Sequence, residues 1–240
     1  MPSKKPRLRT PVAAVLAASL TAASVVHAAT TGDPTRLERV LELQVLASIA
    51  REVARDERLA RAVTRSLELH ADDPLPPVLD PASGRAYAQK VEARLRRIDA
   101  SRAPLWEQNR RAFEARLEGA QAALALAARP LGGAKLIAST DGLAPFARAW
   151  GAEIVATIAG ARADDLVRIA REKDVRAVLV RSREVRGPAD ELARRIGVRV
   201  AVLPSDVGED GIRDWAQLQQ RLVERVADSL REGRGLTPSG

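Results

Sequence analysis

KLIASTDGLAPFARAWGAEIVATIAG, residues 135–160, decides the fold. A short apolar run, Lys135–Ala138, is followed by a polar turn at Ser139–Gly142, a helical pattern over Leu143–Trp150, and a second apolar run, Glu153–Ile158. The order repeats downstream: a helix over Ala163–Lys173, a strand over Ala177–Val180, a helix over Pro188–Ile196, a strand over Val198–Leu203 and a last helix over Ile212–Leu230. Short apolar runs alternating with amphipathic helices predict an α/β fold, a parallel sheet of about four strands with helices on both faces. In such a sheet ligands bind beyond the carboxyl ends of the strands. Here those ends are the turns Ser139–Gly142, Ala159–Ala161, Arg181–Val185 and Pro204–Gly208.

Working back from this region, Pro130, Gly132 and Gly133 stop an uninterrupted helical pattern that runs from Pro104 to Ala128. Trp106, Phe113, Leu117, Ala120, Leu124 and Ala127 mark one stripe of it, which reads as core. At about 1.5 Å per residue it makes a rod of about 40 Å. Before it, Asp80 and Pro81 supply an N-cap and a first-turn proline for a helix through Tyr87, Val91, Leu95 and Ile98. The prolines of Asp72–Leu79 keep that stretch out of a helix. Arg36–Leu69 carries apolar residues at three- and four-residue steps and reads as one or two amphipathic helices.

At the N-terminus, Lys4, Lys5, Arg7 and Arg9 precede an apolar, small-residue run from Val12 to Val26. This is the order of a secretory signal, with Val26-His27-Ala28 as the cleavage site. The run is too short and too weakly apolar for a membrane span, so the product is expected to be exported, processed after Ala28 and not membrane-spanning. The expected organisation is a signal peptide at 1–28, a reduced and mostly helical N-terminal part at 29–100, the long linking helix at 101–128 and the βα lobe at 129–240.

Composition narrows the chemistry. The four signal cations account for half of the formal net charge of +8. The remaining basic residues alternate with acidic ones, as in Arg55-Asp56-Glu57, which describes a solvated surface. With one Tyr, two Phe and three Trp the chain also lacks base-stacking platforms, so no nucleic-acid partner is expected. The absence of cysteine removes thiol catalysis and thiolate metal sites. His27 leaves with the signal, and His70 is then the sole imidazole; no Ser-His-carboxylate set or GxSxG turn can be assembled. An enzyme is not expected, nor is any organic cofactor.

Several stretches in order resemble one family: Leu79-Asp80-Pro81, Trp106–Asn109 with Phe113 and Leu117, Asp141–Gly151, Arg168–Ala177, Leu192–Gly197 and Leu203–Gly208. Together, over about His70–Leu230, they resemble the zinc/manganese ABC-transporter solute-binding proteins. The resemblance implies a periplasmic protein that presents a divalent metal, zinc or manganese, to an ABC permease, with the metal held between two lobes joined by a long helix. It also implies an N-terminal βα lobe with an Asp-Pro-His ligand, whose place only Leu37–Leu69 fills here. Two further histidines of the family fall on Pro76 and Thr140, and a carboxylate falls on Arg181.

The metal candidates that remain are His70, beside Asp72 and Asp73, together with Asp141 and Asp206; Thr140 and Arg181 are expected to line the cleft. Each has a plainer reading. His70 alone is also an exposed loop histidine, Thr140 and Asp141 suit a helix N-cap, and Asp206 suits an ordinary turn. Arg181, Arg183 and Arg186 read either as an anion site or as a solvated cluster balanced by Glu184. The expectation is a solute-binding protein of a metal ABC importer, shortened and weak in metal affinity. The alternatives are a non-transporting envelope interaction module on the same scaffold, or an anion-binding protein.

Overall fold

The computed structural model describes residues 34–68, 79–205 and 207–233. The expected signal peptide, the proline-rich loop with His70, residue Asp206 and the last seven residues lie outside these. Residues 1–40 group as one unit, of which 34–40 is described and helical. Residues 41–240 form the other, which holds every contact described below.

Two helices open the described chain, α1 (Pro34–Ala54) and α2 (Glu57–Glu68). Helix α3 (Pro81–Ile98) begins as its sequence predicts, with the Asp80 carboxylate accepting the Ala82 N–H at 2.9 Å and Pro81 in the first turn. The long helix is α4 (Ala103–Ala127). Next come β1 (Lys135–Ala138), α5 (Ala144–Ala149), β2 (Glu153–Thr157), α6 (Ala163–Lys173), β3 (Val175–Arg181), α7 (Gly187–Ile196) and β4 (Arg199–Leu203). A short extended segment, β5 (Val207–Asp210), and α8 (Trp215–Glu232) complete the order. The sequence reading missed β5 and placed a turn there, because Val-Gly-Glu-Asp carries no apolar run to mark a strand.

The sheet has four strands, all parallel, in the order β2-β1-β3-β4. The chain therefore winds outward in both directions from β1, and the β1/β3 pair is the switch point, at which such sheets form their ligand crevice. Side chains alternate across the strands, which gives two cores. Leu136, Ala138, Ala177, Leu179, Ala201 and Leu203 face a large cluster built with Phe146 of α5, Trp106, Phe113 and Leu117 of α4, Tyr87 and Val91 of α3, and Trp215 and Leu222 of α8. Ile137, Val178 and Val180 face a smaller one with Leu166 and Ala170 of α6 and Leu192 of α7. Trp106, Phe113, Leu117 and Leu124 of the rod's stripe are thus core, while its Ala120 and Ala127 are only partly buried; Ile98, which ends α3, stands half exposed.

Polar contacts fix how α3 and α4 meet the rest. Glu92 of α3, buried, accepts from Arg96 Nε at 2.6 Å and from Arg110 of α4. Asn109 of α4 donates to the Val53 carbonyl at 3.0 Å, and Gln219 of α8 donates to the Leu79 carbonyl at 3.1 Å. Glu52 pairs with Arg116, yet burial pushes its carboxyl above the ordinary range. Taken alone, that group makes the fold less stable as pH rises from its unfolded pKa to its raised folded one, because there the folded state holds a proton that the unfolded state has lost.

The tightest helix contact is at Gly84, where a Cβ would stand 2.9 Å from Trp215 Cη2 and 3.2 Å from Leu117 Cδ2. Gly119, also inside a helix, has open space at the same position. Gly84→Ala is therefore expected to lose about 1–3 kcal/mol to overpacking, while Gly119→Ala gains up to about 1 kcal/mol from helix propensity. Urea unfolding of the two variants checks the opposite signs.

Candidate functional site

The switch point is formed by the residues that leave β1 and β3. Ser139 N–H donates to the Leu179 carbonyl at 2.8 Å and carries the β1/β3 pairing one residue past the strand. The Ser139 hydroxyl donates to the Glu184 carboxylate, which also accepts the Arg181 N–H at 3.1 Å. One carboxylate thus ties the two loops together across the crevice.

A second polar layer lies beside it, at the end of β4. The Ser182 and Ser205 hydroxyls share a hydrogen bond of 3.0 Å, Ser205 Oγ accepts the Arg183 N–H at 3.3 Å, and the Ser205 N–H donates to Glu209 at 3.0 Å. Sequence reasoning missed Glu184, Ser205 and Glu209 as organisers of the crevice. The signal available was that Ser139, Ser182 and Ser205 each follow a predicted strand.

Arg181 closes β3, on the same face of the sheet as Ala177 and Leu179. It is 6% exposed, and its Nε finds no acceptor among the described residues. The solvated-cluster reading therefore fails for Arg181, while it suits Arg183 and Arg186, which are exposed; Arg186 pairs with Asp190 at 2.9 Å. The difference lies in strand register, since only Arg181 is still paired in the sheet, opposite Leu203.

Thr140 holds the N-cap position of a one-turn helix, Asp141–Leu143, but its hydroxyl makes no cap hydrogen bond. Thr140 Oγ1 is buried and without a partner among the described residues, which corrects the N-cap reading of this side chain. Asp141 is exposed in that same turn. Thr140, Asp141 and Arg181 thus all stand at the β1/β3 end, while His70 and Asp206 are outside the described residues. Among those described, no three His, Cys, Asp or Glu side chains gather as a metal site.

A separate groove of about 580 Å³ lies where α3 begins beside α4 and α5, lined among others by Asp80, Arg85, Leu117, Gln121 and Trp150. Of the described site residues, Thr140, Asp141 and Arg181, none lines it.

The profile of a family described as "Zinc-uptake complex component A periplasmic" matches residues 78–229, well over half of the chain. The chain belongs to this ZnuA family. That membership makes it a solute-binding protein by scaffold, outside the enzymes. No curated protein matches the sequence.

Solved structures share the fold. A zinc-bound deletion mutant of ZnuA is 20% identical, with a TM-score of 0.55 over 65% of this chain and 60% of that one. A manganese-bound mutant of the periplasmic metal-binding protein of candidatus liberibacter asiaticus is 16% identical, with a TM-score of 0.57 over 65% and 64%. A mutant of the laminin-binding adhesin of Streptococcus agalactiae is 14% identical, with a TM-score of 0.55 over 63% and 61%. The chain spans less than two thirds of each. No described helix is long and apolar enough to cross a membrane.

The serine layer yields a local expectation. Ser205→Ala removes the acceptor of the Arg183 N–H and the partner of Ser182, at a cost of about 1 kcal/mol. Hydrogen exchange should show the Arg183 amide losing protection while the amides of β3 keep theirs.

Proposed function

We propose that this chain is the exported binding protein of a zinc/manganese-type ABC importer whose ligand set is depleted, so that it holds divalent metal weakly. The observation that carries this reading is Arg181. Its guanidinium is buried at the carboxyl end of the central pair of strands, at the position where the family resemblance implies a carboxylate ligand. A permanent positive charge there repels a divalent cation and replaces an oxygen donor with a group that has no lone pair to offer. Thr140, at the position of one family histidine, adds only a neutral hydroxyl. His70 is the single imidazole left after processing at Ala28, with Asp141 and Asp206 as the remaining oxygen donors.

The family description supports a periplasmic location and a partnership with an inner-membrane permease. The metals named for the fold relatives, zinc and manganese, support the class of cargo. On this reading residues 29–100 are a reduced N-terminal lobe and α4 links it to the βα lobe at 129–240.

Two measurements test it. Calorimetric titration with zinc should give an affinity at least about a hundredfold below that of a three-histidine relative, a difference of about 2.7 kcal/mol. Tight one-to-one binding that His70→Ala abolishes sinks the depleted-site reading. Terminal sequencing of protein from the periplasmic fraction should begin at Ala29; retention of Met1 removes the export assignment.

A further inference from the structure

Two polar atoms at the β1/β3 crevice are buried and unpartnered among the described residues, Arg181 Nε and Thr140 Oγ1. The first is the more demanding. A guanidinium is not neutralised by losing its proton, so a buried one calls for an anion or a dense set of acceptors. Arg181 is 6% exposed, while Glu184 accepts its backbone N–H and the Ser139 hydroxyl.

That arrangement also indicates what the crevice takes. Its loop donors already hold a carboxylate, and it comes from the chain's own Glu184. Arg181 Nε, unpartnered among the described residues, forms with a terminal nitrogen the planar fork that matches a carboxylate side-on. The carboxylate already held by the neighbouring donors favours this class, since the fork itself also accepts tetrahedral oxyanions.

We propose that the β1/β3 crevice binds a small organic carboxylate, gripped by the Arg181 guanidinium and the Thr140 hydroxyl, with Glu184 as a built-in competitor for the neighbouring donors. The position is the carboxyl end of a doubly wound parallel sheet at its switch point, where such folds place ligands. Glu184 sets the affinity, because its negative charge repels an incoming anion and shares the same local field. This rests on the reading that the crevice has lost its preference for cations, and it adds the chemical class that replaces them.

The test is a titration of the purified protein with malonate, followed by thermal unfolding and calorimetry, with chloride and sulfate at matched ionic strength as controls. Malonate should raise the melting temperature saturably and bind one-to-one, and sulfate should do neither. Arg181→Met should weaken malonate binding by at least about tenfold. It should melt no lower than the parent without ligand, since a buried charge whose Nε has no partner among the described residues is exchanged for an apolar chain of similar length. If that variant does not fold, Arg181→Lys keeps the charge, loses the fork and should weaken malonate by a similar factor. Glu184→Gln should tighten binding about threefold.

No saturable malonate response in the parent, an equal response to sulfate, or an undiminished response in the folded Arg181 variant overturns the proposal. Zinc titration of the same preparation keeps the two readings apart. Weak zinc binding without a malonate response removes this inference alone, whereas tight zinc binding removes the depleted-site reading.

Discussion

All four strands of the sheet run the same way, so every return to its starting edge must cross a face of the sheet, and neither face can be left to water. This one constraint organises the molecule. Helices α6 and α7 cover one face through Leu166, Ala170 and Leu192. The other face needs a larger cover, and it comes from α5 next to the sheet together with α8, α4 and α3. Because the strand order is β2-β1-β3-β4, the crossovers leave β1 toward opposite edges. The switch point between β1 and β3 is thus a product of winding before any side chain is chosen, and Ser139 and Glu184 join the loops that leave it.

Much of that architecture could be read from the chain. Lys135–Ala138 and the helix Ala163–Lys173 agree to the residue, since a Gly or polar boundary flanks each one. The rod is one residue out at each end, its start set by Pro104 and its stop by Pro130 and the two glycines. Strand β3 runs longer than its apolar run, Val175–Arg181 against Ala177–Val180, because Arg176 and Arg181 are charged residues that the ladder tolerates. A charge at a strand end gives no local hint that it is buried. That depends on Leu203 of the neighbouring strand and on the helices above, which are distant in sequence.

The site was legible in position and not in connection. The turns after the strands were identifiable from alternation alone, and with them Thr140, Asp141 and Arg181. What no pattern carries is which side chain pairs with which. Glu184 reads as a counter-charge to three arginines, yet it bonds to Ser139 and to the backbone N–H of Arg181. Thr140 reads as an N-cap, yet its hydroxyl faces inward without a partner among the described residues. Both outcomes follow from geometry between strands that a linear reading cannot supply.

The contact between Gly84 and Trp215, together with the Gln219 bond to Leu79, also bears on the order in which the chain can finish folding. The partners of that hydrogen bond are 140 residues apart. Helices α3 and α4 precede α8 in the chain and touch each other, and the space at Gly84 is filled by Trp215 of α8. Closing a loop of that length costs entropy that short-range contacts do not repay. A nascent chain therefore holds an unfinished core until α8 is synthesised, and loss of that helix leaves the two earlier ones without the surface they meet.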